Sequence, residues 1–208
     1  AKMGKDEGRA PCFVAEHGFC TLSSADVDLS MSSLLSPSQL MGIDGAVNLI
    51  VSAMETASRI LIVGDFDADG ATSCALAIRA FEAMGHSDVR FIVPNRFEYG
   101  YGLTPEIVDL AKPQNPSLII TVDNGISSVE GVAAARAAGI DVLVTDHHLP
   151  GEQLPDANVI VNPNQRGCEF PSKALAGVGV IFYVMSAVRK ALREKQWFND
   201  TRKEPNMA

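Results

Sequence analysis

The rhythm of apolar positions changes near residue 60. Before it, Ala46, Leu49, Ile50, Ala53 and Met54 recur at the spacing of one helix face, behind Asp44 as the expected N-cap. After it, short unbroken apolar runs alternate with helix-like segments. The runs are Ile60–Val63, Val89–Val93, Leu118–Val122, Asp141–Thr145 and Val159–Val161. Helices are predicted from the end of the first run to about Gly85, from Thr104-Pro105-Glu106, from about Ser128 to Gly139, and over Ala174–Lys195. Asn95–Leu103 reads as a polar loop. Continuous apolar strands separated by helices predict an α/β fold: a mostly parallel sheet of about five strands with helices on both faces. Residues 1–44 are weakly patterned and Ser-rich. They are expected to form an N-terminal arm that packs over the domain, with loops and a short helix or turn around Leu29–Pro37. Residues 45–208 form the predicted domain.

Composition adds limits. With 208 residues, 47% of them apolar and 20% charged, the chain is long enough for one substantial core. A net charge of −8 argues against a surface coated for non-specific nucleic-acid binding, but not against a metal that handles phosphate. Cys12, Cys20, Cys74 and Cys168 are scattered without metal-ligand spacing and read as reduced packing residues of a cytoplasmic protein. No run of about 18 apolar residues suggests a membrane span, and the N-terminus lacks the pattern of a signal peptide.

The ends of the strands carry the chemistry. The first run stops at Asp65, Asp67 and Asp69, the third at Asp123, and the fourth at Asp146, His147 and His148. In an open parallel sheet ligands bind at the carboxyl ends of the strands. Each group alone has an ordinary explanation as a turn, a cap or a surface pair. Together they point to one metal site, because buried unpaired carboxylates cost several kcal/mol each, by order of magnitude, and a divalent cation offsets that charge. Mixed Asp and His ligands suit Mn²⁺ or Mg²⁺ and tolerate Zn²⁺ or Co²⁺. A two-metal cluster makes hydrolysis of a phosphoester or phosphoanhydride the natural chemistry.

Other polar loops read as substrate holders. Arg96 follows the second strand and can grip a phosphate; Tyr101, between Gly100 and Gly102, can stack on a base. Gly177 and Gly179, at the start of the last helix, either present N–H groups to an anion or serve close helix packing. The chain has no G-x-G-x-x-G and no P-loop, which disfavours nucleotide-binding folds of those kinds. A receiver-type phosphoacceptor would not need the histidine pair or the second carboxylate site.

The segments Gly64–Gly70, Arg96…Gly100-Tyr101-Gly102-Leu103, Thr121–Ile126, Thr145–His148, Val161–Asn164 and Leu175–Val180 together resemble the DHH phosphoesterase superfamily, and within it the RecJ branch. The resemblance covers roughly residues 40 to 200. It implies a 5′-to-3′ exonuclease on single-stranded DNA that releases 5′-mononucleotides with Mn²⁺ or Mg²⁺, in recombination and repair, in the bacterial cytoplasm. A single-strand-binding protein and a helicase are its implied partners. It implies that Asp67, Asp69, Asp123 and His147 are catalytic metal ligands, with Asp123 bridging two ions. Asp65 would be a ligand or an orienter, Asp146 a support for the histidines, and His148 and Arg96 would face the phosphate. Two features depart from the pattern. Val63 stands where many members have a ligand histidine, and the fourth acidic motif is not found by Ala208. The chain is therefore expected to be an N-terminal fragment of a longer nuclease, truncated before that motif, with weak metal binding and little activity alone. The alternatives are a sister phosphoesterase acting on short oligonucleotides, cyclic dinucleotides or polyphosphate, and an inactive binding fragment.

Overall fold

The computed structural model describes residues 9–11, 21–23 and 33–207. Two compact units are present, residues 1–36 with Ala208, and Pro37–Met207. In the first, β1 (Arg9–Pro11) and β2 (Thr21–Ser23) pair antiparallel. The expectations for Cys12, Cys20 and most of the Leu29–Pro37 stretch lie outside the described residues.

The second unit is built on a five-stranded, wholly parallel sheet. Its strands are β3 (Ile60–Gly64), β4 (Val89–Ile92), β5 (Leu118–Val122), β6 (Asp141–Thr145) and β7 (Val159–Val161), in the spatial order β4-β3-β5-β6-β7. Alternate side chains of each strand enter opposite cores. Ile60, Ile62, Leu118, Ile120, Val122 and Leu143 pack under α1 (Ile43–Glu55), α2 (Ala68–Ala83) and α6 (Gly177–Glu194). Leu61, Val63, Ile119, Val142 and Val144 pack under α4 (Pro105–Ala111) and α5 (Val129–Ala137) on the other face. Both faces of the central strands are covered, so β3 and β5 are buried along their whole length. Val63 is fully buried in this second core.

Three local expectations need correction. Asp44 is not the cap of α1: the helix begins at Ile43, and Gly42 takes the cap position with φ 86°. A Cβ at Gly42 would collide with the Ile160 carbonyl, so this approach to β7 requires glycine. The polar stretch after β4 contains a one-turn helix, α3 (Arg96–Tyr99). Asn95 nucleates it, accepting the Phe97 N–H on its side chain and the Glu98 and Tyr99 N–H groups on its carbonyl. Finally, α6 starts at Gly177 rather than Ala174.

The strand order reverses at β3. The chain leaves β3 for β4 on one side and returns to β5 on the other. The crevice between the ends of β3 and β5 is thus the topological switch point, where such sheets bind ligands.

Candidate metal centre

Register brings the polar residues to one level. Gly64 pairs with Val122, Val122 with Thr145, and Thr145 with Val161. One residue further on, the four neighbouring strands release Asp65, Asp123, Asp146 and Asn162 side by side. Asp123 leaves β5 in the left-handed region, at φ 60°, a strained conformation for a non-glycine residue. Its amide donates to the Thr145 carbonyl, and Asn124 behind it donates to the carbonyls of Val63 (3.0 Å) and Val122 (2.9 Å).

The ligand atoms fall into two groups that share Asp123. One atom each from Asp65, Asp67 and Asp123 lie within 4.8 Å of one another, and so do one each from Asp123, His147 and His148. Oxygen ligands stand about 2.1–2.6 Å from Mg²⁺ or Ca²⁺, so atoms that share an ion lie within about twice that distance. Asp123 is 1% exposed, and its Oδ1 has no hydrogen-bond donor among the described residues. His147 Nε2 lies 3.1 Å from that oxygen but outside hydrogen-bonding geometry. A buried carboxylate oxygen left without a donor, at the junction of two ligand groups, is chemistry that fits a divalent cation.

The other acids are held in different ways. Asp67 caps α2, its Oδ1 accepting the Gly70 N–H at 2.9 Å. Asp65 Oδ1 accepts the Phe66 N–H at 2.7 Å. Asp146, 1% exposed, is an organiser. It accepts the N–H groups of Ile126 (2.9 Å), His147 (2.7 Å) and His148 (3.1 Å), and pairs with His148 Nδ1 at 2.7 Å. Asp69 stands outside both ligand groups. Its two oxygens each accept an amide from the start of α6, Gly177 N–H and Val178 N–H, both at 2.7 Å, and one lies 3.7 Å from His147 Nε2.

That contact bears on the two readings left open for the start of the last helix: the Gly177 N–H is donated to Asp69. Gly177 is required for another reason, because a Cβ there would overlap the Asp123 carboxylate. Gly179 likewise serves packing, since its Cβ would meet the Leu175 side chain. The Arg96 side chain lies outside the described residues; its backbone is in α3.

Electrostatics follow the crowding. Burial, and then the charges of Asp69 and Asp67, push the Asp123 carboxyl up to about 7. A carboxyl whose pKa rises on folding holds its proton more tightly in the folded state. Its contribution favours folding below about 3.8 and is lost as pH climbs through about 7. Burial alone would lower the pKa of His148. The hydrogen bond and charge of Asp146 outweigh it, with Asp123 and Asp65 adding, and the net direction is upward. Burial, and then Asp146, Asp65, Asp123 and Asp67, raise the Tyr101 phenol, which stays protonated. Its hydroxyl lies 3.4 Å from the His148 ring.

A cavity of about 640 Å³ opens beside the carboxylates, lined by Asp65, Asp67, Tyr101, Ser127, Ser128 and His148 among others. Ser127 and Ser128 carry no motif that marks them in the sequence. They precede α5 and line the cavity, and the Ser128 N–H donates to the Gly125 carbonyl at 3.0 Å. Cys74 and Cys168 are buried free thiols, consistent with packing; burial, and then Asp123, push Cys74 up to about 11.

Residues 59–205 match the DHH family, N-terminal domain. The chain belongs to the DHH family. This DHH-family chain is 55% identical over 187 residues to the single-stranded-DNA-specific exonuclease RecJ of Salmonella typhimurium, across 89% of this chain and 32% of that protein. It therefore spans about a third of the length of that relative. A crystal structure of exonuclease RecJ bound to manganese matches with TM-score 0.69 and 34% identity, over 76% of this chain and 40% of that one. RecJ from Thermus thermophilus in complex with Mn²⁺ matches with TM-score 0.62 and 30% identity, over 74% and 22%. Among the described residues no helix of this DHH-family chain is long and apolar enough to cross a membrane.

Proposed function

We propose that this chain is the metal-binding domain of an exonuclease that hydrolyses phosphodiester bonds of single-stranded DNA from the 5′ end, releasing 5′-mononucleotides in recombination and repair. The observation that carries the reading is the donor-less Asp123 Oδ1 where the two ligand groups meet. The names of the relatives supply the substrate class. Asp65, Asp67, Asp123 and His147 would hold two Mn²⁺ or Mg²⁺ ions, with Asp69 fixed beside His147 by the start of α6. The bound ions would supply an activated water and neutralise charge on the reacting phosphate. Among the chain's own residues, Asp146 keeps the His148 ring turned toward the cavity, where its raised pKa favours the cation that faces a phosphate. Tyr101, 47% exposed on the cavity wall, offers a ring for a base to stack on. A cytoplasmic location, and a single-strand-binding protein and a helicase as partners, complete the proposal.

Digestion of 5′-labelled single strands with Mn²⁺, by this chain or a longer protein carrying it, tests the reading. Labelled mononucleotide as first product, lost with EDTA, is the expected result. Cleavage of dinucleotides, cyclic dinucleotides or polyphosphate with no action on long single strands would overturn it in favour of a sister phosphoesterase. Arg96→Ala is expected to raise KM or lower kcat at least tenfold while bound manganese, measured by atomic absorption, stays unchanged. Loss of metal would contradict a role toward substrate alone.

A further inference from the structure

The Asn162-Pro163-Asn164 turn has no part in the metal ligation or substrate contacts described above, yet it lies against the histidine pair. Asn162 leaves β7 one residue past its end, level with Asp146, and is fully buried. Its Nδ2 donates to the His148 carbonyl at 3.0 Å. Its Oδ1 accepts the Asn164 N–H at 2.7 Å, which fixes the turn around Pro163. Asn164 Nδ2 in turn donates to the His147 carbonyl at 2.5 Å and to the Lys173 carbonyl at 3.2 Å. Lys173 closes the loop from outside, its ammonium donating to the carbonyls of Pro163 (2.6 Å) and Cys168 (2.8 Å).

The consequence is seen from the His147-His148 backbone. Asp146 takes both of its N–H groups, and the two asparagines take both of its carbonyls. No peptide group of the pair is left to relax. We propose that Asn164, seated by Asn162 and Lys173, is a positioning residue that sets the height of both imidazoles over the strand ends and so tunes divalent-metal affinity without touching the ion. A ligand must sit within about 0.5 Å of its productive place, and supporting contacts of this kind typically carry a roughly 10–100-fold effect on metal affinity. The inference rests on the metal-centre reading.

Asn158 provides a matched control at the far end of the same strands. Its side chain accepts the Val142 N–H at 2.8 Å and donates to Asp141 at 2.7 Å, supporting fold but not site. The experiment compares wild type, Asn164→Ala and Asn158→Ala by Mn²⁺ calorimetry, by thermal midpoint in EDTA, and by imidazole ¹H–¹⁵N correlation spectra without metal. Asn164→Ala is expected to lose about tenfold or more in Mn²⁺ affinity and to shift the His147 and His148 ring signals. Asn158→Ala should lower the midpoint and leave affinity and ring signals unchanged. Wild-type affinity and ring signals in Asn164→Ala, or affinity losses that merely track the midpoints in both variants, would overturn the proposal. If Asn164→Ala does not fold, Lys173→Met at its exposed position repeats the comparison, with a smaller loss in the same direction expected and unchanged affinity overturning it. A wild type that takes no Mn²⁺ would sink the metal-centre reading instead, and the ring signals would still decide the positioning role.

Discussion

Asp123→Asn is expected to abolish Mn²⁺ binding and, in the metal-free protein, to raise the thermal midpoint at pH 8. Both effects have one cause. The Asp123 carboxylate is buried without a donor for Oδ1 and faces Asp67 and Asp69, so its proton is held to about 7. Above that pH the ionised group destabilises the folded state unless a cation occupies the site. An amide of the same shape carries no charge to repel and cannot bridge two cations. Wild type should therefore lose stability between about pH 4 and pH 7 relative to the variant, by roughly 5–10 °C in midpoint. Saturating Mn²⁺ should restore wild type and leave the variant unmoved. Thermal scans across pH, with and without Mn²⁺, check both halves. Equal pH slopes in the two proteins would refute the account of Asp123. In an active nuclease, Asp123→Ala should leave no measurable turnover.

Gly177→Ala is expected to cost Mn²⁺ affinity at least a hundredfold, although it adds one methyl group far from any predicted ligand in sequence. The methyl would overlap the Asp123 carboxylate. Relief requires either rotating Asp123 away from the cluster or drawing back the start of α6. The second movement releases the two amides that hold Asp69. Alanine is otherwise the better helix former, by about 1 kcal/mol, so a merely structural glycine would give a neutral or more stable protein. Gly179→Ala offers the contrast. Its Cβ would press on the flexible Leu175 side chain, so a stability loss with Mn²⁺ affinity kept is the expected result. Calorimetry on both variants separates the two roles, and unchanged affinity in Gly177→Ala would show that the packing against Asp123 does not matter.

The sheet was legible because β3, β5 and β6 are buried on both faces. Ile60–Val63 and Leu118–Val122 therefore read as unbroken apolar runs, with no helical spacing to compete. The convergence of Asp65, Asp67, Asp123 and His147 was legible for the same reason, since parallel strands end at one edge. What escaped the sequence depends on register or on single hydrogen bonds. Nothing in Asn162 itself announces that β7 ends level with β6; only the Thr145–Val161 pairing puts it beside Asp146. The clamp between Asp69 and Gly177 joins residues 108 positions apart, and a glycine at a helix start reads equally as an anion site. The single turn of α3 rests on Asn95 rather than on any apolar period. The β1–β2 pair is three residues per strand, too short to show alternation.

These strand ends are proposed to form a divalent-metal centre built on Asp123. Calorimetric titration of MnCl₂ into the chain at pH 6, 7 and 8, in buffers of different ionisation enthalpy, tests it most directly. Binding is expected to tighten as pH rises through about 7, with a proton released to the buffer as Mn²⁺ displaces it from Asp123. No binding at pH 8, or binding that Asp123→Asn retains, would contradict it.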